Sequence, residues 1–345
     1  MNRTSNNTLL NTTEESVKYY FTSIVLPILA VIGIFGNLAI VPSLSNINHE
    51  HCTASFAKLI CSANVLVLLL DPGLDAISKL TETRHLTQLY EWTCKLHTVT
   101  DQTFLHWTAW CTVLMGGERA VFLFKPSFIC SPFKAKCLAT AAFIGVLSID
   151  VHAMWSHTID KIWGCYFDLV YPDFHTLYWP YVIASLNTYA PILFGIGIAF
   201  AVTVGISRQK FQLHSRQIEE DEVNLTFDRT EEAWSKCSLL ILLSYIFLNF
   251  PLILINIIQF STTALQLIDS KWKAQIQMAD VVVQVLAFAH CSFTAVMIQL
   301  TAPGIRGFYR ICYKRPKSRR NAETVEDGSE IMLKQCKQCK PGEYD

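Results

Sequence analysis

The chain has 345 residues, of which 51% are hydrophobic and 16% are charged, and its mean hydropathy is +0.31. A soluble globular domain carries about 25% charged residues, so this composition excludes an ordinary soluble protein. The 28 basic residues balance the 28 acidic ones, which disfavours a nucleic-acid partner attracted by overall positive charge.

The chain begins with a polar segment, residues 1–19, before its first apolar run. Asn2, Asn6 and Asn11 each start an Asn-x-Thr triplet, the acceptor pattern for N-glycosylation. The segment lacks the basic start and short apolar stretch of a cleaved signal peptide, so we expect the first run to be a retained helix. We therefore predict a glycosylated extracellular tail.

Seven apolar runs follow, and each has about the 20 residues that a helix needs to cross a bilayer. The first, the fifth and the sixth contain no charged residue, and the runs lack the polar stripe of a helix in a soluble protein. The pattern predicts an all-α membrane protein in which residues 20–301 form a seven-transmembrane helix bundle. The runs are Tyr20–Leu44, Phe56–Leu80, Leu96–Phe124, Cys137–Thr158, Tyr178–Ile206, Cys237–Phe260 and Gln277–Thr301.

The positions of the basic residues predict the orientation of the bundle. If the N-terminus is outside, eight of the 28 Lys and Arg residues lie in outer segments and the other 20 lie in cytoplasmic ones. Cytoplasmic segments of membrane proteins are enriched in Lys and Arg. We therefore expect a multi-pass plasma-membrane protein with an extracellular N-terminus and a cytoplasmic C-terminus.

The third run carries the most specific motif. Cys94 stands just before it, and Glu118-Arg119-Ala120 lies near its other end, with the arginine 25 residues after the cysteine. Pro126 follows seven residues after Arg119. In these features the chain resembles the rhodopsin-like G-protein-coupled receptors, whose third helix has a cysteine at its outer end and an Asp/Glu-Arg-Tyr triplet at its inner end.

Residues in other runs extend this resemblance, although several family positions differ. The matching positions are Gly36, Asn37, Pro72, Pro191 and Pro251. The departures are Asn64 for the family's Asp, Ala120 for its Tyr, Leu248–Pro251 for its Cys-Trp-x-Pro, and Thr294–Ile298 for its Asn-Pro-x-x-Tyr. The chain is identified as a divergent member of the family, of the peptide-receptor type.

The resemblance implies a disulfide between Cys94 and Cys165, which tethers the second extracellular loop. It also implies that Arg119 engages a heterotrimeric G protein when helix six moves, and that arrestin is a further partner. Counting 20 residues back from Pro251, about 30 Å of helix, reaches Glu231, where the family's resting state has a partner for the arginine. The candidate switch residues are therefore Glu118, Arg119, Glu231 and Pro251.

Acidic residues in the outer halves of the runs indicate a cationic ligand, because a charge inside a membrane helix is costly and by default functional. Asp101 lies seven residues, about 10 Å of helix, after Cys94. Aminergic and several peptide receptors of the family hold an Asp at this depth. The candidate ligand contacts are Asp101, Asp71, Asp75, Asp280 and Gln284, and Asp150 in the fourth run is a further acid.

Two kinds of ligand fit these acids, an amine and a peptide with Arg or Lys. The fifth run lacks the serine cluster of catechol receptors, and Leu252 and Ile253 stand where aminergic members have two phenylalanines. A neuropeptide is therefore favoured, with an aminergic receptor that uses Asp101 as the alternative. Each acid also has the alternative of an internal role, and for Asp71 the available partners are His106 and Asn249.

An intramembrane metal-dependent enzyme is the alternative from another class. His106, His152 and His290, together with an Asp, are the residue types that bind zinc. They show no local His-Glu-x-x-His spacing, and histidines scattered over three runs are usually packed and hydrogen-bonded inside the protein. We therefore expect a receptor and not an enzyme, with no metal or cofactor.

The chain ends with a basic helix and a polar tail. Arg306, Arg310 and Lys314 recur every four residues beside apolar ones, which predicts an amphipathic helix over 302–314 on the inner leaflet. Cys312 in this helix is a candidate for palmitoylation. Residues 315–345 are expected to form a cytoplasmic tail.

Overall fold

The computed structural model of the chain describes residues 16–47, 51–83, 85–128, 130–160, 164–167, 178–216, 222–264 and 270–302. Within these ranges the fold consists of seven long helices, two short helical segments (Leu86–Gln88 and Ala153–Ser156) and one β-hairpin. The glycosylation sites Asn2, Asn6 and Asn11, the palmitoylation candidate Cys312 and the tail 315–345 lie outside the described residues. The predicted helix 302–314 also lies outside them, apart from Ala302.

The long helices follow the predicted runs in order. They are α1 (Leu26–Ile47), α2 (Cys52–Leu80), α3 (Glu91–Phe124), α4 (Pro132–Asp150), α5 (Trp179–Ile183, Ala184–Tyr189 and Ala190–Arg216), α6 (Glu222–Ala264) and α7 (Ser270–Thr301). The predicted fourth run extends too far. Its last residue, Thr158, belongs to a β-strand, because the helix ends at Asp150 and the chain turns at Val151 and His152.

Six of these helices, all except α3, are long and apolar enough to cross a membrane. The architecture is that of an all-α, multi-pass membrane protein. The third predicted span is not confirmed by length and composition, because α3 carries Asp101, Glu118 and Arg119 among its apolar residues. α3 contacts α2, α4, α5 and α6, so its polar side chains are enclosed by other helices.

The distribution of side chains is the reverse of that in a soluble protein. Phe35, Phe200 and Phe247 are 68%, 73% and 71% exposed, while Asn37 and Asn64 are fully buried. Large apolar side chains are stable at such a surface when lipid surrounds it, and polar groups then need partners inside the bundle. This burial pattern supports immersion in a bilayer independently of the helix lengths.

Among the described residues, three π-helical turns lie within the long helices or directly before one, and each turn lies at a proline. The turns are Phe21–Val25 before Pro27, Leu69–Gly73 around Pro72, and Ala184–Tyr189 before Pro191. Proline lacks an N–H and its ring displaces the carbonyl four residues earlier, so the hydrogen-bond ladder shifts locally. At Gly73 an added Cβ would lie 2.9 Å from the Leu68 carbonyl oxygen, which explains the glycine in that turn.

A two-stranded antiparallel hairpin follows α4. Strands β1 (His157–Asp160) and β2 (Gly164–Phe167) pair Ile159 with Cys165. The hairpin and Cys94 lie at one end of the bundle, here called the Cys94 end. The opposite end, where α2 and α4 begin, is called the Arg119 end.

Candidate functional site

At the Arg119 end, one arginine joins two glutamates from different helices. Arg119 is 4% exposed, and its Nε donates to Glu118 Oε2 at 2.6 Å. Its Nη2 also donates to Glu118 Oε1, and its Nη1 donates to Glu231 Oε2 at 2.5 Å. A bidentate guanidinium–carboxylate contact is the strong form of this interaction. Arg119 therefore connects α3 to α6 through the residue that the spacing from Pro251 had indicated.

The first residues of α2 complete this group. Thr53 Oγ1 donates to Glu118 Oε2 at 2.8 Å, and His51 Nδ1 lies 3.4 Å from Glu231 Oε1. We call His51, Thr53, Glu118, Arg119 and Glu231 the Arg119 cluster. Its two carboxylates and its guanidinium all have partners, and these come from three helices.

The Arg119 cluster is buried although it lies near helix ends. The side chains of Arg119 and Glu231 are 4% and 5% exposed. Trp234, one turn after Glu231, is fully buried and packs with Phe56 and Met115 in the apolar cluster of this end. An exposed ion pair is worth about 0–1 kcal/mol, whereas breaking a buried pair costs about 3–5 kcal/mol. The ion pair between α3 and α6 therefore contributes substantially to the stability of the fold.

A disulfide that the sequence did not indicate lies beside this cluster. Cys52, the first residue of α2, is bonded to Cys130, which lies just before α4. Cys52 stands between His51 and Thr53 in the chain. The bond therefore links the segment before α4 to the Arg119 cluster.

At the other end, Cys94 is bonded to Cys165. This is the pair that the family resemblance implied. Because Cys165 is in β2, the bond attaches the hairpin to the first turn of α3. The hairpin itself was not predicted, although its strands contain the β-branched and aromatic residues typical of strands.

Asp101 is the acid whose position resembles a ligand contact most closely. Its Oδ1 is buried and has no hydrogen-bond partner among the described residues. Its carboxylate interacts electrostatically with Asp71 on α2. Asp101 thus has a second carboxyl group as its neighbour, and no described cationic side chain forms an ion pair with it. An ammonium or guanidinium group would satisfy this oxygen.

Two histidines lie beside Asp71, which sits in the π-helical turn of α2. His97 Nε2 is 2.8 Å from the Leu70 carbonyl oxygen, and the rings of His85 and His97 meet edge to face with centroids 5.7 Å apart. Burial lowers the pKa of His85, in the loop before α3, and the neighbouring His97 lowers it further. Asp71 interacts electrostatically with both rings.

The remaining predicted ligand contacts do not gather around Asp101. Asp75 forms an ion pair with Lys79 at 2.6 Å, and the two side chains are 37% and 42% exposed. Asp280 on α7 is half-buried, and Gln284 on the same helix is exposed. The described contacts connect neither residue with Asp101. The structure therefore makes Asp71 the electrostatic neighbour of both Asp101 and Asp75, and no described contact connects Asp280 or Gln284 with them.

Asp150 has an internal role. His106 Nδ1 lies 3.1 Å from its Oδ2, and Asn187 Nδ2 donates to its Oδ1 at 3.3 Å. Asn249 donates its Nδ2 to the Tyr245 carbonyl oxygen. His106 and Asn249 therefore have these partners instead of Asp71, and the Asp150–His106–Asn187 group joins α3, α4 and α5.

The histidines of the metal-enzyme alternative lie in separate environments. His106 contacts Asp150, His152 packs on Trp179 with ring centroids 4.2 Å apart, and His290 Nδ1 lies 2.9 Å from Ser244 Oγ. Within the described ranges, no three His, Cys, Asp or Glu side chains are placed to hold a metal ion.

Comparison with protein-family models and with curated protein sequences finds no match for this chain.

Proposed function

We propose that this protein is a divergent rhodopsin-like G-protein-coupled receptor. It binds an extracellular cationic ligand, a neuropeptide with Arg or Lys, and activates a heterotrimeric G protein. The observation that supports this most directly is the arrangement of charges along α3. Asp101 lacks a partner near one end, and Arg119 is held by two glutamates near the other.

The proposed topology has seven spans, with α3 as the enclosed third span and the Cys94 end outside. In that orientation the Cys94–Cys165 disulfide lies in the oxidising extracellular space, where disulfides persist. The Arg119 cluster then lies at the cytoplasmic surface, where a G protein binds.

Ligand recognition rests on Asp101 and its neighbour Asp71. A cationic group between the two carboxyl groups would interact favourably with both of them. It would also donate a hydrogen bond to Asp101 Oδ1, which has no other partner among the described residues. The hairpin tethered by Cys165 covers the start of α3 and supplies further contacts for a peptide.

Coupling rests on the contact between Arg119 and Glu231. Movement of α6 away from α3 breaks this contact and frees the guanidinium for the G protein. Pro251, 20 residues along α6, removes one backbone hydrogen bond and gives the helix a point at which it bends. The ion pair therefore biases a two-state element toward its closed state.

The test is a G-protein activation assay in cells that display the protein at their surface, screened with basic peptides and amines. Asp101→Asn should lower the potency of an active ligand at least about tenfold, the loss of roughly one charge-assisted hydrogen bond. Asp75→Asn is the matched control and should keep wild-type potency, because that carboxylate is already paired with Lys79.

Glu231→Gln and Arg119→Ala separate coupling from folding. Glu231→Gln should raise basal signalling, because it removes one charge from the contact that closes α6, whereas Arg119→Ala should abolish signalling at equal surface expression. If no ligand activates wild type and neither variant changes the basal signal, conventional coupling is refuted.

The same screen distinguishes the two ligand classes. Activation by small amines alone would replace the peptide assignment with the aminergic one. Metal analysis of the purified protein addresses the enzyme alternative, and a stoichiometric zinc ion lost in a His106→Ala variant would favour it.

A further inference from the structure

Two cysteines from different segments meet beside the Arg119 cluster. Cys52, the first residue of α2, is bonded to Cys130, which lies shortly before the start of α4. Their Cα atoms are 5.6 Å apart, close to the separation of about 5.5–6 Å that is most common across a disulfide. Both cysteines pack in the apolar cluster that contains Trp234. The folded chain therefore holds the two sulfurs where a bond can form or break without a large movement of the backbone.

The backbone joins Cys52 directly to both α2 residues of the Arg119 cluster. Thr53, on one side of it, donates to Glu118 Oε2 at 2.8 Å. His51, on the other side, has its Nδ1 3.4 Å from Glu231 Oε1. Covalent attachment of Cys52 therefore fixes a partner of each glutamate in the cluster.

The proposed topology places this cysteine pair in the cytosol. Thiols are kept reduced there, and the disulfides that do form are usually transient, with catalytic or redox-sensing roles. Cys52 is 2% exposed, whereas Cys130 is half-buried, so an oxidant in solution meets Cys130 first. Lys125 and Lys134 are exposed in the same segment, and positive charge favours the thiolate that reacts with oxidants.

We propose that Cys52 and Cys130 form a redox site that hydrogen peroxide closes reversibly, and that the closed bond restrains α6 against α3 and lowers coupling. This proposal rests on the proposed function, because the cytoplasmic position of the pair and the coupling role of α6 both come from it. In an unstressed cell the pair is a dithiol, and the disulfide of the structure is its oxidised form.

The oxidation proceeds in two steps. The Cys130 thiolate attacks one oxygen of hydrogen peroxide, the O–O bond breaks, and the hydroxide that leaves takes up a proton to become water. The Cys52 thiolate then attacks the sulfur of the resulting Cys130 sulfenic acid, the S–O bond breaks, and a second water leaves. Two thiols have then lost two electrons and two protons to one peroxide. Glutathione returns the pair to the dithiol by thiol–disulfide exchange and becomes oxidised itself.

The bond acts on coupling through His51. α6 moves away from α3 only when Glu231 leaves Arg119, and Glu231 also contacts His51. In the reduced pair, noncovalent contacts alone hold the start of α2, so His51 can follow Glu231. In the oxidised pair, Cys52 is attached to the segment before α4, so Glu231 must break both contacts. Oxidation therefore favours the closed state of this two-state element.

The chemical step is tested by thiol mapping in cells that display the full-length protein. Free thiols are trapped with one maleimide before and after exposure to hydrogen peroxide, and bonded cysteines are labelled with a second maleimide after reduction. Peroxide should raise the bonded fraction of Cys52 and Cys130 at least about fivefold, and its removal should reverse the change. The bond between Cys94 and Cys165 should stay intact throughout. A Cys52–Cys130 pair that is bonded before treatment, or that peroxide leaves unbonded, overturns the proposal.

The effect on the Arg119 cluster is measured without a G protein. Protein purified from untreated cells is placed in lipid nanodiscs, and its amide hydrogen exchange is compared before and after peroxide. Amides of α6 around Glu231 should exchange at least about threefold more slowly in the oxidised form. Cys130→Ser should remove this difference, and Cys52→Ser provides the same test if Cys130→Ser does not fold. Cys137→Ser is the matched control and should keep the difference, because Cys137 is an exposed free thiol at the same end.

The effect on coupling is measured as G-protein activation in the same cells. Peroxide should lower signalling about threefold in wild type and in Cys137→Ser, and should leave signalling by Cys130→Ser unchanged. Signalling that peroxide does not change in wild type, or changes equally in Cys130→Ser, overturns the proposal. If the bond forms and slows exchange but wild type signals under no condition, the redox restraint of α6 stands and the receptor assignment fails.

Discussion

The two ends of α3 differ in whether their buried charged groups have partners. At the Arg119 end, one guanidinium and two carboxylates are all hydrogen-bonded to one another and to α2 and α6. At the Cys94 end, Asp101 has an unpartnered oxygen and a second carboxylate, Asp71, as its neighbour. Charges in a low-dielectric interior are stable only with partners. The first end therefore stabilises this conformation, and the second leaves a buried oxygen unpaired, which is where the proposed cationic ligand would contribute free energy.

The largest expected effect on stability comes from removing the guanidinium at the Arg119 end, where the buried charged groups are all paired. Arg119→Ala leaves Glu118 and Glu231 buried beside each other without a counter-charge, and we expect a loss of about 3–5 kcal/mol in the free energy of unfolding. Thermal unfolding of the purified protein measures this. Lys236→Ala is the control on α6, since Lys236 pairs with Glu232 at an exposed position and should cost at most about 1 kcal/mol. Equal effects of the two variants would show that the Arg119 cluster is hydrated.

The two disulfides give a second comparison between the ends. They close chain segments of similar length, with sequence separations of 71 and 78, so the entropic contribution to stability is nearly the same. In the proposed orientation, Cys94–Cys165 is outside the cell and Cys52–Cys130 faces the reducing cytosol. Replacing the first pair by serines should cost about 2–4 kcal/mol. Replacing the second pair should cost far less in protein taken from cells.

Thiol labelling of intact protein provides the independent readout for this comparison. When the protein is unfolded without a reducing agent, Cys52 and Cys130 should react with a maleimide, whereas Cys94 and Cys165 should react only after reduction. The opposite labelling pattern would place the Cys94 end in the cytosol and reverse the proposed topology.

What the sequence predicted well depends on local spacing. The helices follow from the lengths of the apolar runs, and the position of Glu231 near the end of α6 follows from a count of residues before Pro251, whereas its pairing with Arg119 was implied by the family resemblance. Both predictions use distances along one helix, which the rise per residue fixes.

What the sequence did not reveal depends on packing between helices. His51 and Thr53 join the Arg119 cluster only because α2 begins beside the end of α3. Asp150 looked like a ligand acid, yet the neighbouring helices place His106 and Asn187 against it. Seven apolar runs give no information about which faces meet, so these partners could not be found from the sequence.

Because Asp101 at the Cys94 end has an unpartnered oxygen, we expect its replacement to stabilise the protein. Asp101→Asn removes a buried carboxyl group that has an unpartnered oxygen and a second carboxyl group as its neighbour, and we expect a gain of about 0.5–2 kcal/mol in the ligand-free protein, together with the loss of ligand potency. Asp75→Asn should cost at most about 1 kcal/mol, because it removes only a partly exposed ion pair with Lys79. Destabilisation by Asp101→Asn would mean that a structural partner, and not a ligand, normally satisfies this carboxylate.

The smallest expected effect is a pH dependence at the Cys94 end. Burial and the neighbouring His97 lower the pKa of His85 below its usual value of 6.5, against the opposing influence of Asp71 and Asp75. Between the lowered pKa and 6.5, the unfolded chain binds more protons than the folded one, so stability rises with pH in that window and falls on acidification. The melting temperature should therefore decrease from pH 7.5 to pH 5, and His85→Gln should flatten this slope. Gln88→Asn, in the same loop, keeps both histidines and should retain the wild-type slope, whereas an unchanged slope in His85→Gln would assign the dependence to other groups.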